Sequence, residues 1–291
     1  MTSATRLDVT VHKLKAQLAE RRFQPPDVLF LMGTGVDLFG ERLRNGTEFE
    51  LGELEEMPHP WRASELIAGK LGQLSVWLLD DIGGEPDGLD VNSPWLGGLP
   101  IWLAAAAGAS VMVHTSAGSA LRSPETGKPL APVGGFGFVR DHINLSGRNP
   151  LIGLSQSSLG PLFPDLSELH HLGLRRSALM QAEKLGLPSA EVVCACTPGP
   201  AIETPAERAL FARAGAEVSV QSLATPLLCA AHAGLATLSI VALTDAAGGP
   251  TELQGLVASA STIQPALQDL LTAMTEDLAS AVDALTAGEN V

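Results

Sequence analysis

The sequence reads as an α/β protein, one domain over residues 1–291, and three observations say so. First, one pattern recurs: an Ala-rich helix end, a glycine, then a β-branched run. It appears at residues 103–113 (L-A-A-A-A-G-A-S-V-M-V), 209–220 (A-L-F-A-R-A-G-A-E-V-S-V) and 230–241 (A-A-H-A-G-L-A-T-L-S-I-V), with a looser copy at 184–193. Glycine suits the left-handed position that ends a helix, so each copy spells helix, tight turn, strand. Second, the apolar runs are nearly continuous rather than alternating, as for strands covered on both faces. Third, the 291 residues contain no low-complexity linker, and this length suits one large domain.

Strands are expected near 27–32, 74–79, 110–114, 191–196, 217–221 and 237–243, each an apolar run bounded by Gly, Pro or polar residues. Helices are expected near 10–21, 62–69, 94–107, 166–186, 204–214, 225–233 and 262–286. In the last, Ile263, Leu267, Leu270, Leu271, Met274, Leu278, Val282 and Leu285 recur at helical spacing, which predicts a terminal helix across the sheet. Residues 122–165 read as a long Gly/Pro-rich loop, and such loops inside a compact domain usually carry function.

Composition narrows the function classes. The net charge of −14 argues against nucleic acid, whose phosphates require a basic face. The three cysteines lack C-x-x-C spacing, and their odd number argues against a disulfide framework. Cys194 and Cys196 would share one face of a strand as small buried hydrophobes. Residues 91–121 carry no Asp, Glu, Lys or Arg, long enough for a membrane span. However, Pro100, Gly108 and His114 interrupt them, and a buried helix, turn and strand is the expectation. The N-terminus shows no signal-peptide core, so an acidic, cytoplasmic protein is expected.

The decapeptide 141–150, D-H-I-N-L-S-G-R-N-P, is too polar for a core strand and too Gly/Pro-marked for a helix, and reads as a site-bearing loop. The residues just past each strand are equally telling: Gly33-Thr34-Gly35, then His114-Thr115-Ser116-Ala117-Gly118, then residues 197–204 (T-P-G-P-A-I-E-T), then Gln221-Ser222, then Thr244-Asp245. Ligands bind outside the carboxyl ends of strands in such sheets, and small, hydroxylic and acidic residues converging there define a small-molecule site. Gly33-Thr34-Gly35 lacks the third glycine of a dinucleotide fingerprint. The residues around Ser116 lack the first glycine of a nucleophile elbow. The histidines have no metal-ligand spacing, and His170-His171 reads as a solvated helix face.

These segments resemble, in order, the signature segments of the trimeric purine nucleoside phosphorylase family. Gly33-Thr34-Gly35 is similar to its G-S-G phosphate loop, Thr115-Ser116-Ala117-Gly118 to T-N-A-A-G, and 141–150 to D-H-I-N-L with the following N-P. Residues 163–167 are similar to F-P-D-M-S. Residues 199–207 (G-P-A-I-E-T-P-A-E) are similar to G-P-x-F-E-T-x-A-E, and also read as a Pro-started helix with a capping-box Glu. Ser222, His232-Ala233-Gly234 and Leu243-Thr244-Asp245 match later segments, Asp245 falling where the methylthioadenosine branch has T-D.

The resemblance implies a mixed, twisted central sheet flanked by helices, a cytoplasmic homotrimer, and phosphorolysis of a purine nucleoside with phosphate as co-substrate and no cofactor or metal. It implies Glu203 and Asp245 as the acids gripping the base. Thr34, Arg62, Thr115, Ser116, Ala117, Ile202, Gln221 and Ser222 would line the phosphate and sugar. Asp245 hints at 6-aminopurines and Glu203 at 6-oxopurines. The family's R-F-H after the second strand is replaced by Leu79-Asp80-Asp81-Ile82-Gly83-Gly84-Glu85-Pro86, two aspartates and a glutamate where phosphate meets Arg and His. Arg62 falls near a further phosphate-binding histidine of the family. No histidine follows His232, so the family's late 5′-hydroxyl histidine has no counterpart. Two alternatives stand beside phosphorolysis: a hydrolase on the same fold with Asp80 or Asp81 as base, and a purine-binding or structural homologue without turnover.

Overall fold

The computed structural model describes residues 6–33, 39–82, 93–154, 156–246 and 253–288. Its centre is a nine-stranded mixed sheet in the order β2-β3-β4-β1-β5-β8-β7-β6-β9, with β9 pairing back onto β5. The strands are β1 (Val28–Met32), β2 (Arg44–Glu50), β3 (Glu65–Leu71), β4 (Leu74–Asp80), β5 (Val111–Ala120), β6 (Phe136–Asn144), β7 (Ser189–Thr197), β8 (Val218–Gln221) and β9 (Ala236–Ala246). The helices are α1 (Arg6–Glu20), α2 (Leu99–Ala107), α3 (Leu172–Lys184), α4 (Pro205–Arg213), α5 (Ala224–Ala233), α6 (Leu253–Ala273) and α7 (Thr275–Ala287). The α/β class and the mixed, helix-flanked sheet agree with the expectation.

Alternation along β1 divides the core. Leu29 and Leu31 join a layer with Leu7, Val11 and Leu14 of α1, Trp102 of α2 and Leu227 of α5. Val28, Phe30 and Met32 join the opposite layer with Leu174 of α3, Leu267 and Leu271 of α6, and Leu278 of α7. Side chains two apart on a strand share a face, so one wholly apolar strand feeds both layers. The charge-free stretch 91–121 resolves into α2 and β5, and no helix among the described residues is long and apolar enough to cross a membrane.

Several elements differ from the expectation. Residues 62–69, expected as a helix, enter β3, antiparallel to both β2 and β4. A Cβ on Gly69 would lie 2.9 Å from Leu43 Cβ, so glycine is what lets this strand pass its neighbour. β2 is polar and largely exposed (R-N-G-T-E-F-E) and sits at the sheet edge, where no apolar run is required. β6 lies inside the expected loop 122–165. It takes in the first four residues of the decapeptide, Asp141 to Asn144, which pair with β7 from Val193 to Cys196. The expected helix 166–186 begins only at Leu172. The terminal helix is two helices meeting at Met274; its periodicity crosses the break because Met274, Leu278 and Val282 are all buried.

His170-His171 is not a solvated helix face. His171 caps α3, its Nδ1 accepting from Leu174 N at 3.2 Å. His170 is buried, and its Nε2 lies 3.1 Å from Nδ1 of His142. Burial first, then His142, pushes the His170 pKa down to about 3. Cys194 and Cys196 are buried in β7, as expected of small hydrophobes, and burial drives both thiols up, Cys196 to about 12.

Candidate functional site

β5 organises the site. Along one edge it pairs with β9 from Val111 to Ala120. Along the other it pairs first with β1, in parallel, from Val111 to Thr115. It then pairs with β8, antiparallel, from Gly118 to Ala120. β1 and β8 therefore point their carboxyl ends at each other across Ser116 and Ala117, which neither ladder covers. Loops leaving strands at their carboxyl ends are where ligands meet an α/β sheet. The junction gathers Gly33, Thr115, Ser116, Ala117, Gln221 and Ser222 by register alone.

Gly33 N donates to Thr115 O at 2.8 Å, tying the β1 tip to β5. Ser222 N donates to Thr197 O at 3.0 Å, and Ser222 holds φ at +61°, a left-handed conformation unfavourable for a residue with a side chain. Ser116 Oγ is buried with no hydrogen-bond partner among the described residues, while Ala117 is exposed. Thr115 to Gly118, expected beyond the end of a strand, lie within one, because β9 and β8 carry the pairing on to Ala120.

The two acids flank the β5–β8 pair. On one side, the β5–β9 register shifts: Gly118 faces Leu243 but Ser119 faces Asp245, so Thr244 is the extra residue of a bulge. A bulge re-aims the following side chain, and here Ser119 Oγ donates to Asp245 Oδ1 at 2.6 Å. Asp245 too lies inside its strand rather than beyond it. On the other side, Thr197 pairs with Gln221, and its hydroxyl donates to Glu203 Oε1 at 2.8 Å. Arg208 Nε stands 3.6 Å from Glu203 Oε2, with side chains 9% and 7% exposed respectively. Glu203 precedes Thr204, the N-cap of α4, whose capping box with Glu207 and Pro205 in the first turn fixes where the helix starts. The reading of residues 200–207 as a Pro-started helix with a capping-box Glu holds for Glu207, but the helix starts at Pro205 rather than Pro200. Gln221 Nε2 donates to Ala201 O at 3.0 Å, and Ile202 is exposed.

Arg62 is not brought among these contacts; its Nε donates to Met57 O at 2.7 Å beside the 3-10 turn His59–Trp61. Thr34 lies outside the described residues. Sequence reasoning missed the partner of Asp81. The carboxylate reaches from the end of β4 over the β1 tip, and His114 Nε2 donates to Asp81 Oδ2 at 2.9 Å with the imidazole 1% exposed. A Cβ on Gly33 would lie 3.1 Å from Thr115 O, so glycine eases the close approach of the β1 tip to β5. Ser119, Thr197 and Arg208 were also missed. Their signal, a hydroxyl or cation placed to meet an acid, exists only once strands are in register.

The arrangement offers chemistry of a defined kind: two carboxylates with bound donors on either side of a strand junction edged by hydroxyls and glycine. The family model described as "Phosphorylase superfamily" matches residues 32–276. Purine nucleoside phosphorylase 1 of Geobacillus stearothermophilus is 27% identical over 238 residues, 80% of this chain and 84% of that one. The purine nucleoside phosphorylase of Mycobacterium tuberculosis is 34% identical over 153 residues, 52% of this chain and 50% of its own. Among solved structures, Schistosoma purine nucleoside phosphorylase in complex with hypoxanthine superposes with a TM-score of 0.81 at 20% identity, covering 93% of this chain and 98% of that one. The Schistosoma mansoni enzyme in complex with adenosine gives 0.79 at 21%, covering 91% and 95%. At such identities the structures speak for the fold.

Proposed function

We propose, since the chain belongs to the phosphorylase superfamily, that it is a purine nucleoside phosphorylase-like pentosyltransferase. Phosphate oxygen forms a bond to the anomeric carbon as the glycosidic C–N bond breaks. The electron pair of that bond leaves with the purine, and the products are free base and sugar 1-phosphate. Glu203 accepts hydrogen bonds from the base edge. Asp245, its Oδ1 held by Ser119, faces the five-membered ring and the 6-substituent and handles the charge or proton arriving there. Thr34, Thr115, Ser116, Ala117 and Ser222 serve the phosphate, Ile202 and Gln221 the sugar, and Arg62 supplies distant positive charge.

The observation that carries this reading is the head-to-head junction of β1 and β8 at Ser116–Ala117 with a partnered carboxylate on each side. The working form is inferred to be a cytoplasmic homotrimer that needs no cofactor. Exposed Leu145, Ile152, Leu162 and Phe163, the last 88% exposed and all within residues 145–163, support association with a further copy. The test is base release from inosine, guanosine and adenosine with and without phosphate. Release that requires phosphate is expected; equal release without it overturns phosphorolysis. Thermal stabilisation by adenine or hypoxanthine with no turnover under any condition would mark a binding protein.

A second reading, hydrolysis, draws on the Asp81–His114 pair. A carboxylate at the β1 tip repels phosphate and suits a water molecule, from which it could take a proton as the C–N bond breaks. Its test is activity in phosphate-free buffer that Asp81→Asn abolishes.

A further inference from the structure

We infer that Arg208 is a positioning residue for the reaction, balancing the charge of Glu203 and fixing its orientation toward the base; this rests on the reading that Glu203 grips the base. Arg208 sits on α4, five residues beyond Glu203, with both side chains almost wholly buried. Glu207, the next acid along, does not compete for it, because its carboxylate accepts from Thr204 N at 2.7 Å in the capping box. Arg208 Nε has no hydrogen-bond partner among the described residues. A guanidinium withdrawn from water for one ion pair at 3.6 Å is poorly explained by stability, since an apolar side chain of similar volume commonly does as well in such places.

The geometry has a functional explanation. Thr197 takes a lone pair on Oε1 through a hydrogen bond of 2.8 Å. Arg208 faces Oε2 from beyond hydrogen-bond range and so leaves its lone pairs open to N–H groups of a base. The cation thereby offsets the desolvation of Glu203 without occupying the acceptor the substrate needs. An ion pair is less directional than a hydrogen bond, whereas the Thr197 hydroxyl is directional; together they fix charge and angle separately.

The test is a double-mutant cycle in the full-length chain, using R208M, R208K, E203Q and E203Q/R208M. It is read as kcat/KM on whichever of inosine, guanosine and adenosine is cleaved fastest, and as equilibrium binding of hypoxanthine and adenine. R208M is expected to lower kcat/KM roughly ten- to hundredfold, the scale of a charged contact, and R208K to recover part of it. In the E203Q background the same change should cost less than about threefold, because coupled residues are non-additive. Equal losses in both backgrounds, or no loss in the first, overturn the inference. If R208M does not fold, R208K decides: a drop erased by E203Q supports the inference, and no drop overturns it. A wild-type chain that neither cleaves nor binds removes the Glu203 reading and this inference with it; an active wild type with additive variants removes this inference alone.

Discussion

Set side by side, the two ends of the site are built on opposite plans. At the end proposed to hold the base, each carboxylate comes with donors: Ser119 for Asp245, Thr197 and Arg208 for Glu203. At the β1 tip, where the family resemblance leads one to expect cations for an anionic acceptor, a carboxylate stands instead, turned onto a buried imidazole. Hydroxyl and cation partners let an acid be withdrawn from water yet ready to accept from a ligand. The Asp81–His114 pair instead turns one carboxylate oxygen inward onto a buried imidazole. On the proposed reading the base end keeps the chemistry that the resemblance implies and the acceptor end departs from it, so variants should separate the two.

The largest expected effect is at the base end. E203Q is expected to lower kcat/KM by roughly a hundred- to a thousandfold, the scale for removing a key polar group at developing charge, in steady-state assays at saturating phosphate. A loss under threefold would dissolve the distinction between the ends. Next comes the acceptor end. If phosphate is the acceptor, D81N relieves repulsion and lowers the KM for phosphate by roughly tenfold, as expected for a charge about 3 Å away screened at the dielectric of water. If water is the acceptor, the same variant loses phosphate-free activity instead. S119A should cost roughly five- to tenfold in kcat/KM, the value of a typical intramolecular hydrogen bond, with melting temperature little changed.

The smallest effect on the site comes from His170, and it sharpens the reading of any pH profile. Its folded pKa of about 3 lies below the ordinary histidine value of 6.5, chiefly through burial. Between those values the unfolded chain binds a proton that the native one refuses. Stability is therefore complete above about pH 6.5 and falls as pH drops toward 3, by about 4 kcal/mol if the shift is fully expressed. H170Q should flatten the fall in urea midpoint between pH 7 and pH 4 while leaving activity at pH 7 within about twofold, since side chains remote from a site act nearly independently of it. An unchanged slope would show that acid loss of activity is not acid loss of this part of the fold.

The parts of the molecule that could be read from sequence are those where local composition and burial agree. β1, β4, β7 and β9 are apolar runs buried on both faces, and their ends announce themselves by a change to Gly, Thr, Ser or Asp. β2 and β3 failed for a physical reason: an edge strand needs no apolar run, and E-L-I-A-G-K-L carries a pattern that a short helix shares. β6 was hidden because its second half is polar and exposed at the barrel-like closure of β5 through β9. Glu203 and Asp245 were legible through resemblance in their order along the chain. Their partners were not, because Ser119, Thr197 and Arg208 acquire meaning only through strand register, a bulge at Thr244 and the start of α4. The Asp81–His114 contact spans three neighbouring strands, β4, β1 and β5, something no linear pattern encodes.

The most direct test of the central claim is a crystal structure of the chain grown with hypoxanthine or adenine. The account predicts the base beside the β1–β8 junction, its polar edge within hydrogen-bond distance of both Glu203 and Asp245. A base bound elsewhere, or the two carboxyl groups opening on separate cavities, would contradict it.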